Sequence, residues 1–136
     1  ESYLLMTIGH NKNQIIVVST IIDVIAIENS QFDGVYHILG GNISPQLGVD
    51  IEDLNINSLI KRIKDSKLDN LEIILALNPN VEGETTALYI KNLLRDNGLL
   101  DNIKLCKLGY GLAVGSDLEY TDKHTIIKAL ENRNLF

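Results

Sequence analysis

Short runs of branched apolar residues alternate with longer helical segments in this chain, and this alternation constrains the fold more than any other feature. Four runs are too short for helices and are typical of buried strands: Gln14 to Val18, Val35 to Leu39, Leu71 to Leu77 and Ile103 to Leu108. Strands that alternate with helices pair in parallel through right-handed crossovers. We therefore expect an α/β sandwich with a mainly parallel sheet of about four strands and helices on both faces.

The first two helices are predicted from their end signals and their apolar spacing. Thr20 is a candidate N-cap for a helix with a wide apolar face, made of Ile21, Ile22, Val24, Ile25 and Ile27. Asn57 or Ser58 is predicted to cap the second helix. Its cations are expected to form a solvated face, and they are Lys61, Arg62 and Lys64.

Two further helices and one long loop complete the predicted pattern. The third helix runs from about Gly83 to Asp96, with Gly98 where a C-terminal glycine is expected. The fourth spans His124 to Glu131. Between Gly40 and Asp53 the turn formers show no sustained periodicity, so we predict a loop, and loops of that length are usually functional.

Composition excludes several classes of function. The 136 residues are 45% hydrophobic, enough for one domain with a core, but aromatics make up 5% and Trp is absent, so a base-stacking platform is not expected. A net charge of -6 predicts poor binding to DNA. One cysteine excludes an internal disulfide framework and suits the cytoplasm. No apolar run is long enough to span a membrane.

The carboxyl ends of parallel strands are the usual working edge of such a sheet. Three segments are predicted to meet there, namely Ser19 and Thr20, Asn78 to Glu84, and Gly109 to Asp117. In the second, Glu82 and Glu84 open a helix, where each carboxylate gains roughly 0.3–1 kcal/mol from unpaired amides. The same acids are also compatible with Mg²⁺ binding or with docking of a basic partner surface.

Other polar residues have simpler interpretations. His37 is predicted to be packed or hydrogen-bonded, Cys106 to face inward, and His124 to lie at a helix start. The loop with Gly111, Gly115 and Asp117 fits either a phosphate cradle or turn geometry, because it lacks the lysine of a Walker loop.

Four segments in order resemble one family: V-V at the first strand, V-Y-H-I-L-G-G-N-I-S-P, N-P-N-V-E-G-E-T-T-A-L-Y-I and G-x-x-V-G-x-D-L-E-Y-x-D. From Ile15 to Phe136 the chain resembles the RecR recombination mediators across their Toprim domain, which has a Rossmann-like fold. The resemblance implies a Toprim-like domain over residues 15–110, a remnant of a preceding segment over 1–14, and a C-terminal loop and helix over 111–136 with a possible oligomer contact.

The resemblance also implies what the domain does. It implies a non-enzymatic module that helps to form a homo-oligomeric clamp and engages RecO and RecF. The clamp would aid RecA loading at gaps during DNA repair. It would contact DNA mainly through N-terminal elements outside this chain. Glu82, Glu84 and Asn80 are then the expected partner-binding residues. The family's zinc knuckle would fall near Ser2 and Leu5, which cannot bind zinc, so no metal or other cofactor is expected.

Catalytic Toprim proteins carry a glutamate after the first strand and a D-x-D pair after the third. Ser19 stands at the glutamate position, where RecR proteins also carry Glu, and Thr20 stands where they commonly carry Asp. Asn78 and Asn80 occupy the D-x-D positions, as in RecR. We therefore expect no catalytic residues. The alternatives are a metal-dependent Toprim nuclease or primase-type enzyme, and a nucleotide-binding module, although G-x-G-x-x-G is missing.

Overall fold

A five-stranded sheet covered by helices on both faces forms the protein. The computed structural model describes residues 11–28, 34–44, 48–66, 70–108 and 123–136. The elements in chain order are β1 (Asn11–Val18), α1 (Ile21–Glu28), β2 (Gly34–Ile38), α2 (Ile56–Asp65), β3 (Glu72–Leu75), α3 (Val81–Asp96), β4 (Lys104–Lys107), α4 (Lys123–Glu131) and β5 (Asn134–Leu135). Short 3₁₀ turns lie at Ile51–Asp53 and Leu100–Asn102.

The strand order is β2-β1-β3-β4-β5. β1 pairs in parallel with both β2 and β3, and β3 pairs in parallel with β4, so the predicted α/β sandwich is confirmed. The fifth strand was not predicted. It has only two residues, without any alternating pattern, and it pairs antiparallel to β4 with Leu135 opposite Cys106.

Alternate residues of β1 face two separate cores. Ile15 and Val17 belong to the core beneath α2 and α3, whereas Ile16 and Val18 belong to the core beneath α1 and α4. This arrangement explains the unbroken apolar runs, because a strand covered on both faces needs no polar alternation. Among the described residues, no helix has both the length and the apolar composition required to cross a bilayer.

The predicted apolar face of α1 is only partly buried. Val24 and Ile27 are almost fully covered. Ile21, Ile22 and Ile25 are 46%, 49% and 59% exposed. The apolar surface of this helix is therefore wider than the stripe that contacts the sheet.

The second and third helices begin two residues or so before the predicted positions. The residue before α2 is Asn55, and not Asn57 or Ser58 as predicted. Asn55 is held at the end of β2, because its backbone amide donates to the carbonyl of Leu39 and its Nδ2 donates to the carbonyl of Ile38. α3 starts at Val81, two residues before Gly83.

The outer edge of β2 is contacted by Asn55, which precedes α2, and by Arg62 in the last turn of that helix. The Nη1 atom of Arg62 donates to the carbonyl oxygen of Tyr36 at 3.0 Å. The prediction that Arg62 shares a purely solvated face with Lys61 and Lys64 was therefore wrong, whereas both lysines are exposed. Paired carbonyls at this edge leave fewer groups for another strand to engage.

A partly buried ion pair joins β3 to the residues that follow α4. The guanidinium of Arg133 donates through Nε to Oε2 of Glu72 at 2.6 Å and through Nη2 to Oε1 at 3.1 Å. Gln14 donates to Oε1 of the same carboxylate at 3.0 Å. Burial raises the pKa of Glu72, but the hydrogen bonds from Arg133 and Gln14 and the charge of Arg133 outweigh that effect and lower the pKa to about 2.

The turn between β3 and α3 depends on a glycine. A Cβ atom on Gly83 would overlap the backbone carbonyl oxygen of Asn78. Gly98, after the last turn of α3, has a φ of 69° but open space around it. A side chain at position 83 is therefore excluded by lack of space, whereas a side chain at position 98 is disfavoured only by the left-handed backbone.

Gly83→Ala is expected to lower the free energy of unfolding by about 3 kcal/mol, because the backbone of the turn must move to admit the methyl group. Gly98→Ala is the matched control and is expected to cost about 1–2 kcal/mol, the strain of a left-handed alanine. Urea unfolding of both variants measures the difference. Equal decreases in the free energy of unfolding would contradict the close contact between residue 83 and the carbonyl of Asn78.

Glu72 is expected to make stability depend on pH. Its pKa of about 2 in the folded chain lies below the ordinary value of 4.5, so its contribution is complete above pH 4.5 and is lost as the pH falls from 4.5 towards 2. Glu72→Gln should remove that slope and cost about 1.5–3 kcal/mol at neutral pH. Urea unfolding across this pH range provides the test, with exposed Glu131→Gln as control. An unchanged slope in Glu72→Gln would contradict the assignment.

Candidate functional site

The carboxyl ends of β1 and β3 lie side by side and define the candidate site. Val17 is in register with Leu75, and the amide of Ala76 donates to the carbonyl of Val17 at 2.9 Å. The residues that follow, Ser19 after β1 and Asn78 after β3, therefore leave the sheet at the same edge. Parallel pairing thus brings together two of the three segments predicted to meet there.

Ser19 is buried and engaged in hydrogen bonds. It is 2% exposed, and its Oγ donates to Oδ1 of Asn42 at 2.9 Å. Its carbonyl accepts from the amide of Gly40 at 2.8 Å. The serine therefore fastens the end of β1 to the loop after β2.

Thr20 does not cap α1 with its own oxygen. Instead, its backbone amide and its Oγ1 both donate to Oδ2 of Asp23, at 3.2 and 3.4 Å. Asp23 is 4% exposed. The Asp23 carboxylate therefore accepts hydrogen bonds from the residue that precedes its own helix, as the acidic residue of a capping box does.

Asn80 is the N-cap of α3. Its backbone is extended, with φ -122° and ψ 176°, and its Oδ1 accepts from the amide of Gly83 at 2.8 Å. Its own amide donates to the carbonyl of Asn78 at 2.8 Å. The amide side chain at this position supplies a helix cap, which an asparagine does as well as an aspartate.

Glu82 and Glu84 lie in the first turn of α3 but have different surroundings. Glu82 is half-buried, and its Oε1 accepts from Oγ of Ser44 at 3.3 Å. The side chain of Glu84 is 56% exposed, and its Oε2 lies 3.2 Å from Nζ of Lys107. A small cavity of about 90 Å³ opens beside Glu84, between the ends of β3 and β4.

Residues 42–44 connect the two halves of the site, and sequence reasoning did not identify this role. Asn42 contacts Ser19, the amide of Ile43 donates to Oγ1 of Thr86 at 2.9 Å, and Ser44 contacts Glu82. Thr86 is fully buried and donates from Oγ1 to the carbonyl of Glu82 at 2.7 Å. The available signal was the polar stretch G-G-N-I-S directly after a strand, together with a threonine on an apolar helix face.

Few of the described side chains at this edge could serve as Mg²⁺ ligands. Ser19 and Asn80 are neutral and already hydrogen-bonded, and Glu82 and Glu84 are the carboxylates in the described stretch from Asn78 to Glu84. Mg²⁺ requires near-octahedral oxygen ligands and is usually held by one or two carboxylates together with substrate phosphates. In the described part of the chain, no group of three His, Cys, Asp or Glu residues could hold a metal.

The remaining predicted residues have structural surroundings or lie outside the described residues. His37 is 1% exposed and its Nε2 lies 2.8 Å from the carbonyl oxygen of Asn55, as predicted for a packed, hydrogen-bonded histidine. Cys106 faces inward, where burial and a hydrogen bond with Glu72 raise the pKa of its thiol. The segment from Gly109 to Asp117 and the side chain of His124 lie outside the described residues.

Comparison with known families agrees with this architecture. A Toprim domain model matches residues 13–102, which is more than half of the chain. A model of the RecR C-terminal region matches residues 111–134, which includes α4 and the Arg133 that pairs with Glu72. The chain therefore belongs to the RecR family, with a Toprim domain followed by the RecR C-terminal region.

Proposed function

We propose that this chain is a non-catalytic Toprim module of a RecR-type recombination mediator in the cytoplasm. In this proposal it assembles into a homo-oligomer, engages RecO and RecF, and aids RecA loading at gaps during DNA repair. It uses no metal or other cofactor. Family membership supports the general role, and the geometry at the carboxyl edge of the sheet supports the absence of catalysis.

One observation carries the non-catalytic part of the proposal. Ser19 and Asn80, at two of the positions where catalytic Toprim proteins carry acids, are both used in hydrogen bonds that hold the backbone together. Neither brings a negative charge to the edge of the sheet. Metal ions held by carboxylates stabilise the charge that develops during phosphoryl transfer, so neutral residues at these two positions support a non-catalytic role.

The acids that remain are suited to contact a protein. Glu84 is exposed, and its partner Lys107 is itself 38% exposed, so a basic group of a partner can approach the same carboxylate. Glu82 is anchored by Ser44, which fixes its position. Asn80 uses its oxygen as the cap, so its Nδ2 is the atom that would donate to a partner. These three residues form the proposed RecO contact.

Incubation of the purified protein with DNA or RNA and Mg²⁺ or Mn²⁺ is expected to give no cleavage, primer synthesis or strand passage. The expectation follows from the neutral residues at Ser19 and Asn80. A matched test restores the acids, with Ser19→Glu and Asn80→Asp compared with the wild type. Metal-dependent cleavage by the wild type that disappears in Glu82→Gln would contradict the proposal.

Glu82→Gln combined with Glu84→Gln is expected to weaken RecO binding by more than about tenfold, a loss of roughly 1.4 kcal/mol. Stability should fall by at most roughly 0.6–2 kcal/mol, the helix-dipole contribution of two carboxylates. Calorimetric titration with RecO measures the affinity, and a melting curve measures the stability. The control removes two exposed acids elsewhere, with Asp101→Asn and Glu131→Gln.

The two interpretations of these glutamates give different results. If they serve only the start of the helix, the folded double variant binds RecO as tightly as the wild type does. That result would remove Glu82 and Glu84 from the contact, while family membership would be unaffected.

A further inference from the structure

A groove of about 410 Å³ runs between α2 and the last turn of α3, away from the carboxyl edge. Its lining combines two lysines, two asparagines and two aliphatic residues, namely Lys61, Lys64, Asn57, Asn97, Ile60 and Leu93. Ile60 is 6% exposed and forms the floor. The groove therefore presents cations and amides around an apolar base.

Lys61 and Lys64 lie one turn apart on α2 and are both exposed. Within the described residues, neither makes an ion pair. Several other described cations have close partners: Arg133 pairs with Glu72, Lys107 with Glu84, and Arg95 with Asp96. What distinguishes Lys61 and Lys64 is that both line the same groove, and two exposed lysines without ion pairs at one groove favour an acidic ligand.

We propose that this groove binds an acidic peptide segment of a partner protein, in which carboxylates flank one aliphatic side chain. The carboxylates would pair with Lys61 and Lys64, and the aliphatic side chain would cover Ile60 and Leu93. The amide nitrogen of Asn97 already donates to the carbonyl of Leu93 at 2.8 Å, so its oxygen would accept a peptide N–H. Asn57, exposed on α2, can both donate to and accept from a peptide backbone.

The lining favours a peptide over nucleic acid. A phosphate backbone would use the lysines but would gain nothing from an aliphatic floor, and none of the described lining residues is aromatic and able to stack on a base. The overall negative charge also opposes a polyanion, whose affinity comes from many phosphate contacts. A short acidic peptide needs only a few carboxylates near two lysines.

This groove is separate from the proposed RecO contact. Leu93 lies nine positions after Glu84 in α3, a rise of about 14 Å along the helix axis. The two surfaces also have opposite charge. A variant at one of them can therefore be tested without altering the other.

The experiment uses a fluorescein-labelled peptide with one central leucine and two aspartates on each side. Three probes are compared by anisotropy: this peptide, the same peptide with asparagine in place of each aspartate, and a single-stranded oligothymidylate. The wild type is expected to bind the acidic peptide at least about tenfold more tightly than the amide peptide. Lys61→Gln with Lys64→Gln should weaken binding by at least about tenfold.

The matched control changes two other exposed lysines, with Lys104→Gln and Lys128→Gln, and should alter the affinity by less than about twofold. Melting curves verify that each variant is folded. The proposal is overturned if the wild type fails to bind at millimolar peptide, if both lysine pairs have equal effects, or if the amide peptide binds equally well. Tighter binding of the oligothymidylate, lost in the Lys61 and Lys64 variant, would assign the groove to nucleic acid instead.

Discussion

The close approach of α3 to the end of β3 is the constraint on which the rest of the site depends. Because residue 83 has no side chain, the first turn of the helix can lie against the carbonyl of Asn78, and Asn80 can cap it from the strand side. That placement puts Glu82 within reach of Ser44 and Glu84 within reach of Lys107. A larger residue at this turn would move both acids away from Ser44 and Lys107.

At the same edge, hydrogen bonds among side chains and backbone amides join the loops. Ser19 and Asn42, Ile43 and Thr86, and Ser44 and Glu82 form a row of contacts from β1 to α3. A carboxylate at position 19 would lose the hydroxyl donor of the first of these contacts and would place a charge in a buried position. Structural hydrogen bonds and catalytic acids are thus competing uses of these positions.

Much of the fold was predictable from the sequence, because buried parallel strands are continuous apolar runs and helices have their own spacing. β5 was not predictable, since its two residues are held by pairing with β4 and by the Glu72–Arg133 ion pair, both of which join residues far apart in sequence. The position of Glu82 and Glu84 at the start of a helix was predicted, because they lie between a buried strand and a helical apolar pattern. The contribution of residues 42–44 was not, because a loop's partners depend on tertiary structure. The solvated position predicted for Arg62 was wrong for the same reason. Helical spacing shows that Arg62 faces away from the core, but it does not show that the carbonyl of Tyr36 lies within reach.

We propose that the first turn of α3 recognises a protein and not a metal ion. Amide NMR shifts of residues 82–86 during separate titrations with RecO and with millimolar Mg²⁺ test that claim most directly. We expect saturable shifts with RecO that a chelator does not change, and only small, non-saturating shifts with Mg²⁺. Saturable shifts with Mg²⁺, or RecO binding that disappears when the metal is removed, would contradict it.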